Sequence, residues 1–343
     1  MNLTEATEHC REHPELPPTE ISSILNALLD EKIPGELKED FLTALAQRGE
    51  TAAELAAFAE AILPHAIDPG FYGEWKGQPL LDCCGTGGGG LNMANVSTGS
   101  MFIMAAAGAV VAKHGNRGIT KKSGSSNLLE ALGLNVQSTP DDLKRSLEQT
   151  GMAFIFAPAF HPAFKVIAPV RQKLAQKGQR TIFNLLGPLL NPVKPQAQIM
   201  GVFKKEHLSL FNQALALQGR QRYLVIHGSH SDHTALGEFS PAGLTLLCGA
   251  LSDQKINTEA TRELSQDALS TIIVASPEES AARITAVLEN TDHGLLREML
   301  LINAAAGLWT QGTAISLDEG YHKAKEALSS GKALETLRLW QNI

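Results

Sequence analysis

The chain has 343 residues, 43% of them apolar and 19% charged, and carries a formal net charge of −7. That length holds two domains or one large α/β domain, and the balance suits a globular protein with a sizeable core. An acidic chain has no electrostatic pull toward nucleic acid or anionic membrane, although a local basic pocket stays open. Cys10, Cys83, Cys84 and Cys248 form no CxxC pair, so neither a zinc framework nor a disulfide scaffold is expected, and free thiols fit a reducing cytoplasm.

The polar, mixed-charge start through Leu16 does not read as a signal peptide. Glu20–Leu29 and Leu37–Ala46 then carry apolar residues at helical spacing. Thr51–Leu63 follows as a third helix, with Thr51 as N-cap and Glu54 three residues on, the pattern of a capping box. Pro79–Cys84 is a short apolar run that ends in consecutive glycines, a buried strand entering a turn. A helix is expected from near Ser97 to about Ala107, and the apolar stretch Met101–Ala112 is too short to span a bilayer. Ala109–Lys113 reads as a strand, and the turn Ser123–Ser126 precedes a helix through Leu132. Met152–Phe156, Tyr223–His227 and Thr271–Val274 read as strands, alternating with helices at Glu206–Leu217, Ala281–Leu288 and Gly294–Thr310. Asp318–Asn342 reads as one terminal amphipathic helix. The alternation predicts an α/β layer with a central, mostly parallel sheet covered by helices, preceded by a small all-helical domain.

Four segments carry chemistry. Gly85-Thr86-Gly87-Gly88-Gly89-Gly90 is either a flexible turn or a phosphate cradle, since glycines let backbone N–H groups approach an anion. No GK[ST] follows, so it is not a Walker loop. Asn95-Val96-Ser97-Thr98 serves as a plain helix cap or as a set of hydroxyls, with Ser97 suited to Mg²⁺ and Thr98 to a phosphate. Lys113-His114-Gly115-Asn116-Arg117, followed by Lys121, Lys122 and Ser123-Gly124-Ser125-Ser126, concentrates cations and hydroxyls in an acidic chain. It is a solvated basic loop or, as the interleaved glycines and serines favour, an anion pocket. His161-Pro162-Ala163 leads to Arg171, a guanidinium able to clamp a carboxylate, and then to the stretch Arg180–Asn191, whose Gly-Pro and Asn-Pro pairs are turns.

Taken together and in this order, these segments resemble the anthranilate phosphoribosyltransferase family over about 81–192. The resemblance implies a helical domain over residues 1–70, with a contribution from about 165–185, joined to an α/β domain over 78–343, usually as a homodimer. It implies phosphoribosyl pyrophosphate as donor, anthranilate or a similar aromatic acid as acceptor, and Mg²⁺. Gly85, Thr86, Gly87, Gly88, Asn95, Ser97, Thr98, Lys113 and Ser125 match donor positions. His114, Asn116 and Arg171 match acceptor positions, and Ser97 and Glu238 match metal positions. No individual catalytic residue is implied: the work is to position two reactants and stabilise a leaving anion.

Three usually acidic positions differ, with Gly89, Asn127 and Gly237 standing where the family carries aspartates. They motivate an alternative, a paralogue of the same fold with another acceptor or a non-catalytic binding protein, and the acidic charge disfavours nucleic acid as its ligand. His230, Asp232 and His233 lie close enough in sequence to replace the lost carboxylates, while the plainer reading of 227–233 is a polar surface loop.

Overall fold

The computed structural model describes residues 1–87, 91–118, 124–230, 234–252 and 269–343, and the strand backbone of 254–257. Four helices come first: α1 (Leu3–Glu12), α2 (Pro18–Leu29), α3 (Gly35–Arg48) and α4 (Ala52–Ile62). The polar start therefore forms a helix of its own, capped by Asn2, and the Thr51–Glu54 capping box opens α4. The buried Glu54 carboxylate also accepts the Leu16 N–H at 2.8 Å and pairs with Arg48, tying the loop before α2 to the end of α3.

A seven-stranded sheet follows, in the order β5-β4-β3-β6-β7-β8-β9. A separate two-residue pair, β1 (Glu74–Trp75) with β2 (Gln78–Pro79), precedes it. The strands are β3 (Leu81–Gly85), β4 (Val111–Gly115), β5 (Met152–Phe156), β6 (Ala197–Gly201), β7 (Arg222–Gly228), β8 (Leu244–Cys248) and β9 (Gln254–Asn257). The first five pair in parallel, and β8 and β9 close one edge antiparallel. Side chains alternate across β3 and β6. Leu81, Cys83 and Ile199 enter a core with helix α5 (Val96–Ala106) and the 17-residue helix Leu295–Gln311, while Cys84 and Met200 enter the core built by α1–α4. That second core also takes Ile167, Val170 and Leu174 of the helix Phe164–Gln176, and Ile182 and Phe183 beyond it.

Two expected elements differ. Thr271–Val274 is not a sheet strand: Ile273 makes a lone bridge to Met93, because the backbone there bonds the segment leading into α5 (Ala94 N–H to Ile272 O, 2.8 Å; Val274 N–H to Asn92 O, 2.8 Å). The terminal helix is two helices, Leu317–Ser329 and Lys332–Gln341, divided at Gly331, whose φ of +79° ends the first.

Candidate functional site

The strand order reverses between β3 and β6, since β4 and β5 add on one side and β7 on the other. In open parallel sheets such a reversal leaves a crevice at the strands' carboxyl ends, where ligands bind. Here those ends are Gly85 and Gly201, paired in register. The two strands approach closely: a Cβ on Gly85 would lie 3.3 Å from the Gly201 carbonyl oxygen. Thr86 donates its N–H to that same oxygen at 3.0 Å, which pins the start of the glycine loop to β6. Gly85 and Gly87 are exposed, and Gly87 has a φ of +64° that favours glycine.

Helix α5 begins beside the loop. Asn95 is its N-cap residue but does not cap it with its side chain, whose oxygen accepts the Ser280 hydroxyl at 2.9 Å. The helix thus brings to the crevice an N-terminus without a side-chain cap, with its partial positive charge. Thr98, fully buried, has no hydrogen-bond partner for its hydroxyl among the described residues. Lys113, on β4, is 1% exposed and reaches across to β3, donating to the Cys83 carbonyl and lying 3.5 Å from Ser97 Oγ. Burial works against its ammonium, while the carboxylates of Asp82 and Glu238 favour it. Burial pushes the Cys83 thiol up to about 12 and the Cys84 thiol well above its ordinary value, so the neighbouring cysteines are neutral packing groups.

Ser97 and Glu238, far apart in sequence, line one small cavity between β3, β6 and β7, together with Gly201, Ile226 and Asn303. It measures about 10 Å³, room for one water. Asn303 holds the residue next to Glu238 at both ends, accepting the Phe239 N–H at 3.0 Å and donating to its carbonyl at 2.9 Å. One carboxylate and one hydroxyl are hard oxygen donors of the type Mg²⁺ takes, with waters and substrate phosphates filling its remaining positions. Among the described residues, no group of three or more His, Cys, Asp or Glu side chains is placed to hold a metal ion.

Two of the three unusual positions acquire a structural reason. Gly237 has a φ of +69°, and a Cβ there would come 2.8 Å from the Phe203 ring. Asn127 Oδ1 accepts two backbone N–H groups, from Gly118 at 2.9 Å and Gly124 at 3.1 Å, and so closes the loop before helix α6 (Ser125–Ala131). An amide oxygen does this as well as a carboxylate. The loop is tight, since a Cβ on Gly124 would overlap the Gly118 nitrogen. Ser125 opens α6 beside Gly115.

His114 and Arg171, the two residues expected to meet an acceptor, stand at the two ends of a chain of rings. The His114 ring meets His161 edge-on at 5.3 Å, and His161 stacks on Phe164 at 5.5 Å. Phe164 meets Phe183 at 5.6 Å, and the Arg171 guanidinium lies over Phe183 at 5.4 Å. Burial, helped by the His161 ring, pushes His114 down to about 3. Burial holds His161 down to about 4 despite its bond to the Leu190 carbonyl at 2.9 Å. Both imidazoles are neutral at pH 7. Burial also lowers the Arg171 pKa. Asn116 is exposed just past β4, its side-chain oxygen accepting the Arg117 N–H at 2.7 Å, so no described contact joins it to this chain.

His230 does not belong to a polar surface loop: it is 1% exposed, and its N–H bonds the Thr234 carbonyl at 2.9 Å. The backbone pairing that follows β7 draws it inward. Gly88, Gly89, Gly90, Lys121, Lys122, Ser123, Asp232 and His233 lie outside the described residues. Sequence reasoning missed Asn303, Ser280 and Asp82. Asn303 is a lone amide in the apolar stretch of 299–308, and Asp82 a lone carboxylate in the run of 79–84, which is the signal each offered. Asp82 Oδ1 accepts the His114 N–H at 3.2 Å and so fixes β4 against β3.

Known proteins agree with this architecture. Residues 77–334 match the a/b domain of the glycosyl transferase family, and residues 4–66 match that family's helical bundle domain. The anthranilate phosphoribosyltransferase of Cupriavidus metallidurans is 36% identical over 340 residues, covering 98% of this chain and 97% of that protein. The crystal structure of anthranilate phosphoribosyltransferase from Thermus thermophilus aligns with a TM-score of 0.86 at 35% identity over 98% of each chain. The Saccharomyces cerevisiae enzyme in complex with PRPP and Mg aligns with a TM-score of 0.85 at 27% identity, covering 99% of this chain and 97% of that one.

Proposed function

Because the chain belongs to the anthranilate phosphoribosyltransferase family of glycosyl transferases, we propose that it transfers the phosphoribosyl group of phosphoribosyl pyrophosphate to the amine of anthranilate, a step of tryptophan biosynthesis. One observation carries the reading: Gly85–Gly87, the N-terminus of α5 and the buried Lys113 ammonium converge on the crevice where the strand order reverses. That convergence suits a polyanion and leaves the exposed mouth to the sugar.

In this reading, backbone N–H groups of the glycine loop and the start of α5 orient the pyrophosphate, with Gly85, Thr86, Gly87, Gly88, Asn95, Ser97, Thr98 and Ser125 around it. Lys113 stabilises charge from beneath as the pyrophosphate leaves. Ser97 and Glu238 would hold Mg²⁺, which when bound neutralises part of the pyrophosphate charge. His114, Asn116 and Arg171 receive the aromatic acid, the guanidinium facing its carboxylate. With His114 neutral, no cation there competes with Arg171 for that carboxylate. The amine then needs orientation at the anomeric carbon more than a general base.

The same proposal takes residues 1–70, with about 165–185, as the helical domain and 78–343 as the α/β domain, supported by the core that α1–α4 share with the helix Phe164–Gln176. It includes a homodimer, which rests on the resemblance and is checked by light scattering. It also includes a cytoplasmic setting, in keeping with four cysteines that form no disulfide. No helix among the described residues is long and apolar enough to cross a membrane.

The activity is tested by following anthranilate fluorescence with donor and Mg²⁺. Steady loss of signal that requires the donor is expected. An unchanged signal under saturating donor refutes the proposal.

A further inference from the structure

We infer that Phe183 is the positioning residue for the acceptor's carboxylate: its ring holds the Arg171 guanidinium by one face and leaves the N–H groups along the guanidinium's edge for the two carboxylate oxygens; this rests on reading Arg171 as the clamp for an aromatic acid. A guanidinium carries its N–H donors in its own plane, so a partner on the face and a partner at the edge do not compete. The Arg171 guanidinium lies over the Phe183 ring, 5.4 Å from its centroid, within reach of cation–π attraction. It makes no hydrogen bond or ion pair with the described residues. Other arginines withdrawn from water in this chain do: Arg220 donates to the Pro195 carbonyl, Arg222 to the Trp309 and Thr310 carbonyls, and Arg48 pairs with Glu54. On the same helix as Arg171, Lys173 and Lys177 both reach Glu39. Burial disfavours the Arg171 charge, and no described carboxylate offsets it. A half-buried cation with its edge donors unused is costly to keep, and an anionic ligand removes that cost.

The ring is the fixed half of the pair. Phe183 is 6% exposed and belongs to the core built by α1–α4. Asn184 Oδ1 accepts the Thr181 N–H at 2.9 Å, which anchors the turn that leads into the short helix Phe183–Leu186. Phe164 meets the Phe183 ring edge-on, with an interplanar angle of 81°. Phe164 and Arg171 are two helical turns apart on the helix Phe164–Gln176, so they share the face that addresses this ring. A long side chain with much rotamer freedom is thereby oriented before the acceptor arrives, and less of that freedom is lost on binding. A carboxylate partner would orient the guanidinium too, but it would occupy the edge and neutralise the charge. The Phe183 ring does neither, so the arrangement selects aromatic acids over neutral aromatic amines.

The test places mono-, di- and trifluorinated phenylalanines at position 183 of the full chain by stop-codon suppression. Fluorine draws negative charge from the ring face and nearly preserves the ring's shape. The anthranilate KM is expected to rise with each fluorine, by about three- to tenfold in the trifluorinated protein, while kcat and the donor KM hold within about twofold. Phe183→Leu, checked for folding by far-ultraviolet circular dichroism, should raise the anthranilate KM at least as much, and the fluorinated series stands independently of it. Arg171→Lys, which loses the planar fork, should raise the same KM by about tenfold or more. A flat anthranilate KM across the series, or a rise matched by the donor KM, overturns the inference; if Arg171→Lys is still impaired, Arg171 remains the clamp. An unaltered anthranilate KM in Arg171→Lys overturns the clamp reading, and the inference with it. Absence of donor-dependent turnover in the wild-type protein overturns the proposed activity and both readings that rest on it.

Discussion

Acid sensitivity should be concentrated in the buried His114–His161 pair. Burial holds His161 neutral down to about 4 and His114, which also faces His161, down to about 3, against an ordinary value of 6.5. Between pH 6.5 and those folded values the unfolded chain binds more protons. The stability these rings contribute is therefore complete above pH 6.5 and is lost as pH falls through that window. From pH 7 to pH 5 each ring withdraws about 2 kcal/mol, so the pair withdraws about 4 kcal/mol. That is a large share of the roughly 5–15 kcal/mol typical of a folded domain. His161→Gln removes one titrating ring and keeps a donor for the Leu190 carbonyl. Its loss over the same range should fall to about 2 kcal/mol or less. Urea unfolding followed by circular dichroism at pH 7, 6 and 5 measures this, and carboxylates common to both proteins cancel in the comparison. If the variant loses as much stability as wild type, the account of the pair is wrong.

Other substitutions probe the site and its supports. Gly201→Ala places a methyl on the Gly237 carbonyl oxygen and should cost about 3 kcal/mol in chemical denaturation; a change under about 1 kcal/mol would show that the strands have room. Asn127→Asp keeps the acceptor for Gly118 and Gly124 and should stay within about 0.5 kcal/mol of wild type, whereas Asn127→Ala should lose about 1–3 kcal/mol. Glu54→Ala strands Arg48 and the Leu16 and Thr51 N–H groups, for an expected loss of about 3–5 kcal/mol in urea. Lys113→Met should weaken calorimetric donor affinity by at least about 2 kcal/mol, roughly thirtyfold, and unaltered affinity would remove Lys113 from the donor site.

Much of this architecture is legible in the residues themselves. The Met152–Phe156 strand is apolar throughout because it is buried on both faces, and the structure places it over those same residues. Thr51 and Glu54 announce α4 because capping is local chemistry. Where pairing is long-range, the pattern misleads. The apolar content of Thr271–Val274 serves a clasp on the segment before α5, which local composition does not distinguish from a strand. Gly331 lies between two amphipathic stretches whose common period hides the break. For the site, the glycine loop and the Lys113 block are contiguous motifs, so their chemistry shows in sequence. The cavity shared by Ser97 and Glu238 depends on the order of β3, β6 and β7, and Asn303 acts through a backbone it meets only in the fold. Gly237 reads as a lost carboxylate in sequence. In the fold it is a left-handed turn packed under Phe203.

The central claim, that the crevice between the ends of β3 and β6 is a donor site, is tested most directly by a crystal structure soaked with phosphoribosyl pyrophosphate and Mn²⁺. The account predicts pyrophosphate density over Gly85–Gly87 and the start of α5, above Lys113, with one anomalous peak beside Ser97 and Glu238. Donor bound elsewhere on the chain, with that crevice empty, would contradict it.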